Sequence, residues 1–198
     1  MWIKKFKPTT PWRRHMTGLT FEELTTNKPY KPLVIKLKKH AWRNSAWRIT
    51  VRHQWGGHAK AYRLIDFYFL DKKEIPARVE TIEYDPYRTA FIALICYKDG
   101  ERRYILAHKT MKVGDTVITS EIAKPLDGNR MPIWEVPTWF TVYNVEAIVW
   151  QWASMIRSAG SYGTIISQEG EYTNIKLASG ELRRVHKKCY ATVWRVSN

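Results

Sequence analysis

Cysteine is nearly absent. Cys96 and Cys189 stand far apart and without CxxC spacing, which argues against a disulfide framework and a cysteine-based zinc site and fits a reducing compartment. Long apolar runs are missing too: none approaches a membrane span, and the opening MWIKKFKPTTPWRRH has no apolar stretch of the secretory kind. Acid is scarce where base is dense. Residues 1–63 hold 15 Lys/Arg and 2 Asp/Glu, a balance of +13, whereas residues 64–198 hold 18 and 16. Glycine is thin, 10 in 198 residues, about 5% against a usual share of about 7%. Catalytic signatures are missing as well: no G-x-S-x-G, phosphate-binding P-loop, HExxH or acid pair occurs. Asp66, Glu83 and Asp85 lie among arginines and read as charge partners.

What is present is base, tryptophan and short β patterns. The N-terminal basic excess, interleaved with Trp, Tyr and His, points to a polyphosphate partner bound through counterion release. No basic amphipathic helix supports a membrane-surface reading. Residues 1–40, broken by Pro8, Pro11, Pro29 and Pro32, predict an extended basic arm with little core, ordered by a polyanion; Phe21 to Leu24 could form one helical turn. Beyond it the pattern is β. Ile49 and Val51 alternate with polar residues, as do Ile65, Phe67 and Phe69. ARVETIEYD and VGDTVIT each predict a strand. FIALICYKDGERRYILA predicts a hairpin about Asp99-Gly100. The turn cluster LDGNRMP, residues 126–132, is a boundary. FTVYNVEAIV, a meander over YGTIISQEGEYTNIKLASGELRRV, and YATVWRV follow. An all-β chain of two small barrels, 41–125 and 126–198, is predicted.

Three stretches carry candidate contacts. RNSAWRITVRHQWGGHAKAYRLIDF, residues 43–67, offers Arg43, Arg48, Arg52, His53, Gly56, Gly57, His58, Lys60 and Arg63, with Arg13 and Arg14 in the arm. His53 and His58 lack a third metal ligand, so phosphate or base contact is the better reading. YDPYRTAFIAL places Arg88 at the entry to an apolar strand, where its planar fork suits phosphate or guanine; a local ion pair with Asp85 is the alternative. IRSAGSYG presents Arg157 beside Ser158 and Gly160, small residues that let another backbone come close; an ordinary loop is the alternative. No metal or cofactor is expected, and the chain reads as a non-enzyme. A free-standing single-strand-binding module and a metal-dependent nuclease are the competing readings.

KPTTPWRRH, the 43–67 stretch, IEYDPYRTAFIALICYKDGERRYILA, NVEAI, RSAGSYG and LASGELRRVHKKCYATV together resemble the bacterial-type family of universal large-subunit ribosomal protein two. The resemblance covers nearly the whole chain. It implies an oligonucleotide-binding (OB) barrel followed by an SH3-like barrel. It also implies direct binding to large-subunit ribosomal RNA, with Arg88 and Arg157 important for it. A role in subunit association and at the peptidyl-transferase region is implied, with neighbouring ribosomal proteins and the small subunit as further partners. The place implied is a cytoplasmic ribosome, an organellar one being left open, with no membrane. Members of the family continue into a glycine- and basic-rich tail bearing a functionally important histidine; the sequence ends at Asn198, before it. Trp12, Trp42, Trp47, Trp55, Trp139, Trp150, Trp152 and Trp194 fall where the resembled family typically has glycine, whereas Trp2 and Trp134 match no clear family position. The pattern suggests UGA codons that the source reads as glycine but that were translated as tryptophan.

Overall fold

A computed structural model describes residues 3–198; Met1 and Trp2 lie outside the described residues. Strands dominate, and three short 3-10 turns are the helical content of the described residues. The first sheet has four antiparallel strands, Arg102–Leu106, Ile92–Tyr97, Ala77–Glu83 and Thr116–Val117, in that order across it. The expected hairpin is its centre: Ile92 pairs with Leu106 and Cys96 with Arg102. Gly100, at φ 88°, turns the chain. The apolar run in Ile92–Tyr97 is explained by burial on both faces. Ala93, Ile95 and Tyr97 point into the barrel with Val79, Ile105 and Val117. Ile92 and Leu94 point the other way, onto Tyr104, Leu106, Tyr143 and Val196.

The second sheet has six strands, ordered Leu182–His186, Tyr172–Leu177, Gly163–Glu169, Thr141–Tyr143, Tyr190–Val193 and Arg130–Pro132. The meander turns at Gly170 and Gly180, both at positive φ. Its core gathers Met131, Ile133, Val142, Val145, Ile165, Ile175, Val185 and Ala191. The chain end stitches the two sheets together. Lys109 donates its N–H to the Arg195 carbonyl, Ser197 donates its own to Ala107, and the Phe91 N–H reaches Ser197 Oγ at 3.0 Å.

Two stretches differ from the expected strands. Residues 43–61 carry no strand ladder; one isolated bridge joins Arg43 and Ile49, and Ile49 and Val51 are exposed. With neither side chain buried, nothing fixes a pleated register there. Ile65, Phe67 and Phe69 do not form an alternating strand either. Asp66 Oδ1 accepts the N–H groups of Tyr68 and Phe69, folding the segment into a turn with Phe69 at φ 59°. At the N-terminus, Ile3–Lys5 pairs with Thr17–Leu19. Leu19 and Leu24 pack on the first core, and Thr25 exchanges hydrogen bonds with Ile82. Phe21 to Leu24 is a hydrogen-bonded turn, and Tyr30 donates its N–H to the Tyr104 hydroxyl at 2.7 Å.

Candidate nucleic-acid interface

Arg88 enters from the turn that precedes the Ile92–Tyr97 strand. Asp85, fully buried, builds that turn: its Oδ1 accepts the Tyr87 N–H at 2.9 Å and its Oδ2 accepts from Arg88 Nη1 at 2.5 Å. The local ion pair therefore exists, and it orients the guanidinium. Arg88 Nη2 points at the Tyr62 hydroxyl, 3.4 Å away, and the guanidinium lies 5.7 Å from the Phe67 ring centre. Arg157 arrives from the loop between the short Ala153–Met155 strand and Gly163–Glu169. Its guanidinium lies 4.6 Å from the same Phe67 ring. It is exposed, and no carboxylate pairs with it among the described residues.

One cleft of about 490 Å³ thus holds both arginines, lined by Tyr62, Phe67, Tyr87, Thr89 and Ser158 as well. Arg88 stands on the first sheet's turn and Arg157 on the second sheet's loop, so folding brings together two charges far apart in sequence. The Ala153 N–H donates to the Phe67 carbonyl at 3.0 Å, tying the shared ring to the strand before Arg157. Tyr62 and Tyr87 meet edge to face at 5.4 Å, and Tyr87 is exposed. Chemically the cleft offers one uncompensated cation, one half-compensated cation and aromatic rings. That set suits a phosphodiester and an adjoining base.

The residue 39–60 loop forms a second cationic surface. Arg43, Arg48, Arg52, His53, His58 and Lys60 are all exposed. Lys39 Nζ donates to the Gly57 carbonyl at 2.8 Å and also to the His58 carbonyl, holding the double-glycine corner. Gly56 and Gly57 sit at φ 76° and 64°. A Cβ on Gly56 would lie 3.0 Å from Ala41 Cβ, whereas one on Gly57 would meet open space, so only its φ calls for glycine there. Arg43 lies over the Trp42 and Trp47 rings, and Lys60 over Tyr87 at the cleft's edge.

Other expected residues are placed differently. Arg63 is buried, with its Nη1 donating to the Ala61 carbonyl at 2.9 Å, and it stands near buried Glu83. It faces inward rather than toward a ligand. Gly160 serves the fold: its N–H donates to the Ser197 carbonyl, and a Cβ there would lie 3.0 Å from the Asn198 carbonyl oxygen. Ser158 lines the cleft through its neighbourhood with Arg157. Arg14 is exposed on the arm, and Arg13 is half-buried over the Phe6 ring. Phe67, Tyr62 and Tyr87 were missed by sequence reasoning. The available signal was the pairing of aromatics with arginine in YRLIDF and DPYR, which composition alone does not single out.

Residues 30–119 match the family model "Ribosomal Proteins L2, RNA binding N-terminal domain". Residues 126–198 match "Ribosomal Proteins L2, C-terminal domain". These domains have OB and SH3-like folds, which agrees with the two curled sheets and with the all-β expectation. The two models together span most of the chain, and the protein belongs to the ribosomal protein L2 family, RNA-binding constituents of the large ribosomal subunit.

Proposed function

We propose that the cleft between Arg88 and Arg157 grips a phosphate of large-subunit ribosomal RNA, with an adjacent base resting on Tyr87 or Tyr62. The observation that supports this reading is the convergence of two arginines from different sheets on one aromatic ring, Phe67. Arg157 carries a full uncompensated charge; Arg88 is aimed by Asp85 and keeps part of its fork free. The exposed loop bearing Arg43, Arg48, Arg52, His53, Gly56, Gly57, His58 and Lys60, with Arg13, Arg14 and Ser158 beyond it, supplies further backbone contacts. Such contacts set register and affinity rather than base choice. By bridging two barrels on one RNA segment, the protein would stiffen RNA near the peptidyl-transferase region. It would also present a surface to neighbouring ribosomal proteins and to the small subunit; these roles rest on the family resemblance. The residue ranges 1–40, 41–125 and 126–198 are the functional units proposed for arm and barrels.

The test is binding of Arg88→Ala and Arg157→Ala to large-subunit RNA fragments over a range of salt. Each variant should bind at least about tenfold more weakly, and each should lose about one unit of salt slope. Wild-type affinity in both variants, with folding intact, would remove the cleft from the interface.

A further inference from the structure

Positive φ is costly for any residue with a Cβ and cheap for glycine. Four of the nine described tryptophans lie there: Trp47 at 59°, Trp139 at 70°, Trp150 at 66° and Trp194 at 93°. Only seven of all the other described non-glycine residues do. The turns themselves say which residue the backbone is shaped for. At Gly100 the glycine N–H donates to the Tyr97 carbonyl, and the Tyr97 N–H donates to Glu101. Gly180 repeats this with Leu177 and Glu181. Trp47 repeats it again: its N–H donates to the Asn44 carbonyl at 3.0 Å, and the Asn44 N–H donates to Arg48 at 3.0 Å. This is a type I turn closed by a left-handed residue, a position that glycine fills.

Trp139 and Trp150 occupy a different turn position and the same chemistry. The Phe140 N–H donates to the Pro137 carbonyl, and the Gln151 N–H donates to that of Ile148. Each tryptophan is therefore the third residue of a four-residue turn. With the second residue at negative φ, a positive φ at the third is the type II pattern, which calls for glycine. Trp194 leaves the Tyr190–Val193 strand at a φ that falls among those of Gly100, Gly114, Gly128 and Gly180, between 87° and 97°. Its indole Nε1 is buried without a hydrogen-bond partner. Burial does not offset the strain elsewhere, since Trp47, Trp139 and Trp150 are 76%, 71% and 59% exposed. Trp134 behaves otherwise: it sits inside the Ile133–Glu135 3-10 turn at negative φ.

We propose that the polypeptide which folds and works in its own cell carries glycine at positions 47, 139, 150 and 194, encoded by UGA read as glycine, and tryptophan at position 134. One change in one codon's meaning accounts for all four sites, whereas four independent substitutions to the bulkiest side chain would each bring strain. The exposed Trp12, Trp55 and Trp152 and the half-buried Trp42 carry no backbone signal, and the proposal does not rest on them. With glycine at 47, the basic loop would carry a third glycine at positive φ besides Gly56 and Gly57. The inference stands apart from the cleft, because none of these residues lines it.

The direct test reads codons 47, 134, 139, 150 and 194 in the gene and sequences peptides of the native ribosomal protein by mass spectrometry. UGA at the four strained positions with glycine in the peptides, and UGG at 134, is the expected result. UGG at the four, or tryptophan in their native peptides, overturns it. A second test uses recombinant full-length chain. Trp47→Gly, Trp139→Gly, Trp150→Gly and Trp194→Gly should each raise Tm by about 2 °C, whereas Trp134→Gly should not. A lower Tm in all four variants contradicts the assignment.

Discussion

Two arginine sites join the sheets, and they differ in how their charge is met. Arg130 is fully buried. Its Nη2 donates to Glu146 Oε1 at 2.7 Å and its Nη1 to the Asn144 carbonyl at 2.8 Å, and its guanidinium lies 4.9 Å from the Phe69 ring. Glu146 Oε2 accepts the Tyr190 N–H at 3.1 Å. Burial pushes the Glu146 carboxyl above its ordinary range and the Arg130 guanidinium below its own, against the attraction between them. Arg157 instead stacks on Phe67, two residues before Phe69, and stays open to solvent with no carboxylate paired to it among the described residues. The Asp66 turn aims the two phenylalanines at two arginine sites. A charge met inside the protein holds the fold. A charge left open is available to a ligand.

The largest effect should come from breaking the closed site. Glu146→Ala leaves a buried guanidinium unpaired and should cost about 3–5 kcal/mol, read as a lowered urea midpoint. A well-packed double replacement of Arg130 and Glu146 by apolar residues should recover much of that loss, because the desolvation of both charges goes with them. Next comes the open site. Arg157→Ala should leave the urea midpoint within about 0.5 kcal/mol of wild type while weakening RNA binding. A matching loss of stability would erase the contrast between the sites. Phe67→Ala should come third. It removes a ring shared by two guanidiniums, worth about 0.5–2 kcal/mol where such contacts are desolvated, and so should reduce RNA affinity more than Tyr68→Ala, which serves as the control.

The smallest effect is a pH dependence close to the seam between the sheets. His108 is buried, with its Nδ1 3.2 Å from Thr110 Oγ1 and its ring packed against Gly128. Burial lowers its pKa below the ordinary 6.5, opposed by the charges of Asp127 and Asp115. The unfolded chain therefore takes up the proton first. The contribution of His108 to stability is present above about pH 6.5 and is lost as pH falls through the lower folded value. Urea midpoints measured between about pH 7.5 and about pH 5 should fall, and His108→Gln should flatten the slope in that window; an unchanged slope would assign it to other groups.

The hairpin at Gly100 and the meander at Gly170 and Gly180 were legible in the sequence, because apolar residues recur there in runs bounded by glycine turns. Arg88 and Arg157 were legible as candidates. Their meeting on Phe67 was not, since it depends on how two sheets pack. Ile49, Val51 and the 65–69 segment misled because alternation is only a pattern until one face finds a core; Asp66 spends its carboxylate on a turn instead. Arg63 and Arg130 show the same limit from the other side. Sequence gives an arginine's charge but not its neighbours, and Glu146 reaches Arg130 only through the fold.

The central claim is that Arg88 and Arg157 act on one RNA phosphate as a single cleft. A double-mutant cycle of Arg88→Ala and Arg157→Ala, measured as affinity for a large-subunit RNA fragment at several salt concentrations, tests it most directly. The account predicts that the double variant loses less than the summed single losses, by about 0.5 kcal/mol or more, because either truncation already loosens the same phosphate. Losses that add without coupling, or two variants that bind like wild type, would contradict it.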